Sequence, residues 1–192
     1  MDAHELAFAG AAEQARMLAD GAITAPELIE VYLERIERID PQLRSYRVVL
    51  GESARAEAAA AQARLDAGER LPLLGVPIAI KDDVDVGGEV TTYGTAAHGP
   101  APAEDAEVVR RLRAAGAVIV GSTNMSEFAF SGVGFNPHYG TPGNPYDRRA
   151  DTGRIVIGCS GVGERWWRPC RNWNRYRRLG PHPGRALRDC RL

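Results

Sequence analysis

The sequence predicts an α/β fold in which helices cover a mixed sheet. Two observations lead to this class: helical patterns alternate with short apolar strands along residues 1–149, and alternation of that kind is typical of sheets covered by helices. The composition, with 44% hydrophobic and 26% charged residues in a chain of 192, is that of a soluble globular protein. The length accommodates one ordinary domain with a sizeable core.

The first strong helical signal begins at a capping box. Thr24 stands three residues before Glu27, so the hydroxyl can accept a free backbone amide while the carboxylate reaches back to the start of the helix. Apolar residues then recur at helical spacing, and they are Leu28, Ile29, Tyr32, Leu33 and Ile36. We expect this helix to stop at Pro41, because proline lacks the amide that continues a helix.

Two further helices and two strands follow in alternation. Residues 53–67 are rich in Ala, Glu and Arg, which are strong helix formers, and residues 103–115 carry apolar side chains on one face. The short apolar runs 75–80 and 116–120 are bounded by glycine or charge and predict buried strands. A loop and short helix should start at residue 121. In sheets of this kind ligands bind beyond the carboxyl ends of the strands.

Lys81, at the end of the first predicted strand, is the only lysine in the chain, whereas arginine fills every other basic position. Lysine can lose its proton when it is desolvated, which suits it to act as a general base, and arginine cannot. The alternative is structural: a lysine that reaches from a strand end to water. The arginine bias favours the functional interpretation, since charge alone did not require lysine here.

Two segments carry a family resemblance. GVPIAIKDDVDVGGEVTTYGT and AEVVRRLRAAGAVIVGSTNMSEFAFSGVGFNPHYGTPGNPYDR resemble the amidase signature family, which includes amidases and the A subunit of glutamyl-tRNA(Gln) amidotransferase. The family implies a Ser-Ser-Lys mechanism, in which a lysine matching Lys81 acts through a bridging serine on a nucleophilic serine. A neutral lysine at an apolar strand end can serve as that base. The neighbouring carboxylates Asp82 and Asp83 would instead favour its charged form.

The resemblance also implies a supporting role for the STNMSEF segment. Candidate residues for substrate binding or site support are Ser122, Thr123, Asn124, Met125 and Glu127. As single polar residues, however, Asn124 and Glu127 are more often loop and helix-cap partners than site residues. The aromatic residues Phe128, Phe130 and Phe135 could line an acyl pocket, or they could belong to the core.

The composition breaks near residue 149. Residues 1–149 contain 14 basic and 22 acidic residues, whereas residues 150–192 contain 10 arginines and 3 acids, with all three tryptophans and all three cysteines. The family pattern continues after NPYDR with a PGGSSSG stretch that carries the bridging serine and a GTDTGGS stretch that carries the nucleophile. This chain has neither, and the lone Ser160 does not replace them.

A frameshift explains both the break and the missing motifs. If each codon is read from its second base with free synonymous choice, residues 173–191 can read GTDTGGSVRIPAALCGIVG and residues 152–162 can read PGGSSSGAAVS. We therefore predict a truncated amidase-signature domain at 1–149, with a helical region at 1–70 and an α/β region at 71–149. The segment 150–192 is predicted to be an out-of-frame tail, irregular or disordered.

Read literally, this tail suggests two other sites. Its arginines and aromatic residues could bind nucleic acid through phosphates and stacked bases, and a metal site could include Cys159, Cys170, Cys190 and His182. The cysteine spacing fits no paired-ligand pattern, and the odd count fits no disulfide framework. The tail is better explained as the product of a GC-rich gene read out of frame.

The expected function is therefore an amidase lineage that converts a carboxamide to a carboxylate and ammonia without a metal or other cofactor, in a chain that is inactive because both serine motifs are missing. Alternatives are a fragment of the amidotransferase A subunit and a non-catalytic binding protein with a basic tail. The parent would bind a small amide. The net charge of −1 argues against nucleic acid and membranes as partners, a cytoplasmic location is expected, and the oligomeric state is open.

Overall fold

The computed structural model describes residues 3–131 and 134–145. The described part contains five α-helices, three strands and one short 3₁₀ helix at Glu127–Ala129. In chain order the elements are α1 (Ala3–Phe8), α2 (Ala11–Ala19), α3 (Ala25–Leu43), β1 (Tyr46–Val49), α4 (Gly51–Asp66), β2 (Pro77–Lys81), α5 (Glu107–Ala114) and β3 (Val118–Thr123). The predicted tail, 150–192, lies outside the described residues, as do its cysteines, His182 and Ser160.

The helix α3 begins at the predicted capping box. Thr24 Oγ1 accepts a hydrogen bond from the Glu27 amide at 3.3 Å, and the Thr24 amide donates to Glu27 Oε2 at 2.9 Å. The expected stop at Pro41 is wrong, because the helix continues to Leu43. Proline removes only one helical bond there, and the left-handed residue that follows the helix, Arg44, closes the last turn.

The three strands form one mixed sheet in the order β1-β3-β2, which confirms the predicted fold class. β2 runs parallel to β3, and β1 runs antiparallel to it. The strand β1 was not predicted, since its four residues show no clear alternation of apolar and polar side chains. β3 also extends three residues beyond the predicted strand, to Thr123, so Ser122 and Thr123 belong to the strand rather than to the loop.

The central strand β3 is buried along its whole length because helices pack on both faces of the sheet. Val118 and Val120 join a large apolar cluster formed mainly with α3 and α4. Ile119, which points to the opposite face, packs with Val109 of α5 and Ile80 of β2. Because β2 and β3 pair in parallel, their carboxyl ends lie side by side at one edge of the sheet. No helix among the described residues is long and apolar enough to cross a membrane.

Candidate active site

The carboxyl ends of β2 and β3 bring Lys81 next to the STN segment, as expected for a parallel pair. Lys81 lies opposite Thr123 in the strand register, and Ile80 lies opposite Ser122. The Asp82 amide donates to the Thr123 carbonyl at 3.2 Å, which extends the pairing by one residue. Sequence-distant segments thus meet at the edge where ligands bind in sheets of this type.

The Lys81 ammonium lies at this edge and pairs with Asp83. Its Nζ is 2.7 Å from Asp83 Oδ2, and the two side chains are 24% and 31% exposed. The Val84 amide donates to the Lys81 carbonyl at 3.0 Å, which forms the turn that carries Asp83. The pair is part-buried and keeps some contact with solvent at the sheet edge.

Unlike its neighbour Asp83, Asp82 has a buried carboxylate, and its partners are residues that hold the fold together. Arg47 Nε donates to Asp82 Oδ1 at 2.7 Å, and the Thr92 hydroxyl donates to Asp82 Oδ2. The guanidinium of Arg47 also donates to Glu89 Oε1 at 3.0 Å and to the Val90 carbonyl at 2.6 Å. Of the two carboxylates that follow Lys81, only Asp83 pairs with its ammonium.

Asn124 is buried and ties the end of β3 to two other segments. Its Nδ2 donates to the Arg44 carbonyl at 3.1 Å and to the Gly140 carbonyl at 2.8 Å, and its backbone amide donates to the Ser45 carbonyl at 2.8 Å. These contacts agree with the interpretation of Asn124 as a loop partner. They hold the STN segment in place at the sheet edge.

Asn136 is not among the predicted site residues, yet it is the second buried side-chain amide of this region. Its Nδ2 donates to the Gly94 carbonyl at 3.0 Å and to the Met125 carbonyl at 2.6 Å. Its Oδ1 accepts the amides of His138 and Tyr139 at 2.8 and 2.9 Å. A side chain whose partners come from three segments cannot be identified from local sequence, although asparagine before proline does indicate a turn.

The remaining predicted site residues divide by burial. Ser122, Thr123 and Met125 are buried, as is Asn124, whereas the Glu127 side chain is 42% exposed. Glu127 Oε1 lies 3.5 Å from His138 Nε2. The four buried residues support the edge that carries Lys81, while Glu127 lies at the surface.

Four aromatic side chains in the segments that follow the ends of β2 and β3 are exposed, and they are Tyr93, Phe128, Phe130 and Phe135. Phe130 is 94% exposed and the other three are between 40% and 58% exposed. The rings of Tyr93 and Phe128 are stacked with their centroids 6.3 Å apart. The core interpretation of the three phenylalanines is therefore wrong.

Within residues 3–131 and 134–145, no group of three His, Cys, Asp or Glu side chains is arranged to hold a metal ion.

The fold corresponds to that of solved amidase-signature enzymes. The Amidase family model matches residues 27–164, which is well over half of the chain. The chain belongs to the amidase signature family.

Individual relatives support the same assignment. The chain is 69% identical over 146 residues to a Mycobacterium tuberculosis protein named "Putative amidase AmiB2", covering 76% of this chain and 32% of that one. It is 46% identical over 143 residues to the A subunit of the glutamyl-tRNA(Gln) amidotransferase of Halorhodospira halophila, covering 74% and 30%. The solved peptide amidase of Stenotrophomonas maltophilia superimposes with a TM-score of 0.71 at 32% identity, covering 77% and 32%. The chain thus spans about a third of the length of these relatives.

Proposed function

We propose that Lys81 is the base of a Ser-Ser-Lys amide hydrolase and that this chain carries the base without its serines. The parent enzyme would bind a small carboxamide, transfer its acyl group to a serine with release of ammonia, and hydrolyse the resulting ester with water. The single observation that carries the proposal is that Lys81, the one lysine of the chain, ends β2 opposite Thr123, at the edge where ligands bind in sheets of this type.

The surroundings of Lys81 support this role. Arg47 and Thr92 satisfy the Asp82 carboxylate, so one of the two adjacent acids is already occupied. Asp83 holds the ammonium at 2.7 Å at the end of β2, which fixes the amine at the edge that a serine of the complete site would have to reach. An amine positioned within hydrogen-bond reach of a hydroxyl can relay its proton.

The absence of the two serine motifs from the sequence supports the second part of the proposal, that the chain is inactive. Loss of the nucleophile together with the oxyanion donors removes nearly all rate enhancement in a serine hydrolase. A single frameshift between residues 148 and 151 accounts for this loss and for the arginine-rich segment that follows.

The test restores the shifted frame. The gene is sequenced through the codons for residues 144–192 and beyond, and one base is inserted or deleted to join the two frames. We expect no amide hydrolysis from the original chain and clear hydrolysis of simple aliphatic or aromatic carboxamides from the restored one. Lys81→Arg in the restored chain should lower kcat by about 10³-fold, since general-base catalysis contributes on that order. Hydrolysis by the original chain, or full activity of the Lys81→Arg variant, would refute the proposal.

A role as part of an amidotransferase A subunit is the second candidate, and the 46% identity to the Halorhodospira halophila protein favours it. The higher identity of 69% to the mycobacterial relative makes a free amidase our first choice. The two candidate functions differ in what receives the ammonia. If the restored chain is a free amidase, it should release ammonia into solution in the absence of tRNA. We include a cytoplasmic location in this proposal, supported by the soluble composition and small net charge.

A further inference from the structure

We propose that Arg47 is a positioning residue for Lys81 and that it acts through Asp82. Its guanidinium fixes the turn from which the lysine side chain extends, and it keeps the Asp82 carboxylate from taking the ammonium. The contribution of Arg47 to catalysis rests on the proposed function, because it requires that Lys81 be the base. The effect of Arg47 on the lysine side chain does not, and it can be measured in the chain as it is.

Arg47 reaches Asp82 across the end of the central strand. It lies on β1, which is separated from β2 by β3. Thr123, the last residue of β3, pairs with Tyr46 on one side and with Lys81 on the other. The residues that follow these two partners in the chain are Arg47 and Asp82. The 2.7 Å contact from Arg47 Nε to Asp82 Oδ1 therefore ties all three strands together at the edge that carries the lysine.

Every polar group of Asp82 has a partner. Its amide donates to the Thr123 carbonyl at 3.2 Å, and its carbonyl accepts the Tyr93 amide at 3.0 Å. Arg47 donates to one oxygen of the carboxylate and the Thr92 hydroxyl donates to the other. The Asp82 side chain is only 1% exposed, so water cannot replace Arg47 unless the residue moves. Removal of the cation therefore favours displacement of Asp82, because a buried charge without a partner is costly.

A displacement of Asp82 is transmitted to Lys81 through a tight turn. The turn runs from Lys81 to Val84, whose amide donates to the Lys81 carbonyl at 3.0 Å. Asp82 is its second residue, and the third is Asp83, whose carboxylate holds the ammonium at 2.7 Å. Movement of the second residue changes the direction of both members of that pair. Support of this kind decides how precisely a functional side chain is held.

Arg47 also determines which of two carboxylates the ammonium takes. Asp82 and Asp83 follow the lysine directly, and either could attract its charge. Arg47 satisfies Asp82, and it is itself held by Glu89 Oε1 at 3.0 Å and by the Val90 carbonyl at 2.6 Å. Without this cation, the buried Asp82 carboxylate would compete with Asp83 for the ammonium, since charges interact more strongly away from water.

The test uses the fact that Lys81 is the only lysine of the chain. The full chain is labelled with lysine that carries ¹³C at Cε, so that one side chain gives the whole NMR signal. A lysine held in one conformation shows two separate Hε shifts, whereas one that changes rotamer rapidly shows a single averaged shift. Asp83→Ala, which removes the direct partner of the ammonium, provides the reference for a released lysine.

The test variant is Arg47→Met, which keeps an unbranched apolar side chain and removes the cation. The matched control is Arg113→Met on α5. Arg113 is also partly buried and also bridges two carboxylates, those of Glu57 and Asp105, so a general loss of stability should affect both variants alike. Thr92→Val removes the other side-chain donor to the same aspartate. It decides the outcome if circular dichroism shows that Arg47→Met does not fold.

We expect two separate Hε shifts in the wild-type chain, retained in Arg113→Met. In Arg47→Met these shifts should be lost and replaced by one averaged shift, or by a new pair of shifts if the ammonium turns to Asp82. Thr92→Val should change them in the same way. A single averaged shift in the wild-type chain would overturn the proposal. So would wild-type shifts in Arg47→Met, wild-type shifts in Thr92→Val where Arg47→Met does not fold, or an equal loss in Arg113→Met.

Activity of the restored chain separates this inference from the proposed function. If both hold, Arg47→Met should lower kcat by about 10-fold or more with KM nearly unchanged, because small misplacements of a catalytic group are costly. Arg113→Met should leave kcat within about twofold of the restored wild type. Loss of the wild-type Hε shifts in Arg47→Met with full activity of the same variant would support the positioning and count against Lys81 as the base.

Discussion

Arg47 and Asp82 form a mostly buried ion pair, with Arg47 Nε 2.7 Å from Asp82 Oδ1 and the two side chains 10% and 1% exposed. The pair joins β1 to the residue directly after Lys81. It leaves Asp83 as the acidic partner of the lysine. Two adjacent carboxylates therefore have different partners: Asp82 pairs with Arg47, and Asp83 pairs with Lys81.

Replacing Arg47 should be costly because it leaves a buried carboxylate without its cation. We expect Arg47→Met to lower the free energy of unfolding by about 3 kcal/mol, measured by urea denaturation followed by circular dichroism. The control is Arg55→Met, which removes an exposed pair with Glu30 and should cost less than about 1 kcal/mol. The double variant Arg47→Met with Asp82→Asn should recover part of the loss. Equal effects of Arg47→Met and Arg55→Met would contradict this account.

Asn136 should be sensitive even to an isosteric change. Asn136→Asp keeps the oxygen that accepts the His138 and Tyr139 amides but replaces the donor to the Gly94 and Met125 carbonyls. Two carbonyls would then face a carboxylate in a buried position, and we expect a loss of about 3 kcal/mol. Thermal unfolding of the variant at neutral pH measures this loss of stability. As a control, the loss should be smaller at acidic pH, where the carboxyl regains a proton and can donate a hydrogen bond. An unchanged Tm would show that this side chain is not an anchor.

Alanine substitutions at two glycines with similar φ distinguish the cost of backbone strain from the cost of a steric clash. Gly88 and Gly94 have φ of +83° and +74°, but a Cβ at Gly88 would meet open space, whereas one at Gly94 would lie 2.8 Å from the Met125 carbonyl oxygen. Gly88→Ala should therefore cost only about 1 kcal/mol, the penalty of a left-handed alanine. Gly94→Ala should cost clearly more, because backbone must shift. Denaturation midpoints that fall equally for both would contradict the predicted collision.

Asp40 provides a test of pH dependence. Burial raises the pKa of its carboxyl above the ordinary 3.8, although the hydrogen bonds donated by the Ser45 and Tyr46 amides lower this pKa in part. The folded chain therefore binds more protons than the unfolded chain between 3.8 and the raised value, so this group makes stability fall as pH rises through that interval. Asp40→Asn should remove that component. As pH rises from 3.8, we expect wild type to lose unfolding free energy relative to Asp40→Asn. A difference between the two that does not change with pH would contradict the raised pKa of Asp40.

Local sequence was sufficient for elements that depend on near neighbours. The capping box of Thr24 and Glu27 was predicted because its partners are three residues apart. β2 and β3 were predicted from apolar runs bounded by glycine, with ends shifted by one to three residues. The same reasoning failed at Pro41, since the cost of one missing bond is small near the end of a helix that packs well.

The sequence by itself determined the fold class, the family and the candidate base, because apolar periodicity, the GVPIAIKD and STNMSEF segments and the single lysine are all local properties. Only the tertiary structure decided which neighbours each polar group has. It paired Asp82 with Arg47, 35 residues away, gave Asn136 its contacts with Gly94, 42 residues away, and left the three phenylalanines exposed rather than in the core. The physical reason is that burial and hydrogen-bond partners depend on segments distant in sequence, and no local pattern encodes which of them will meet.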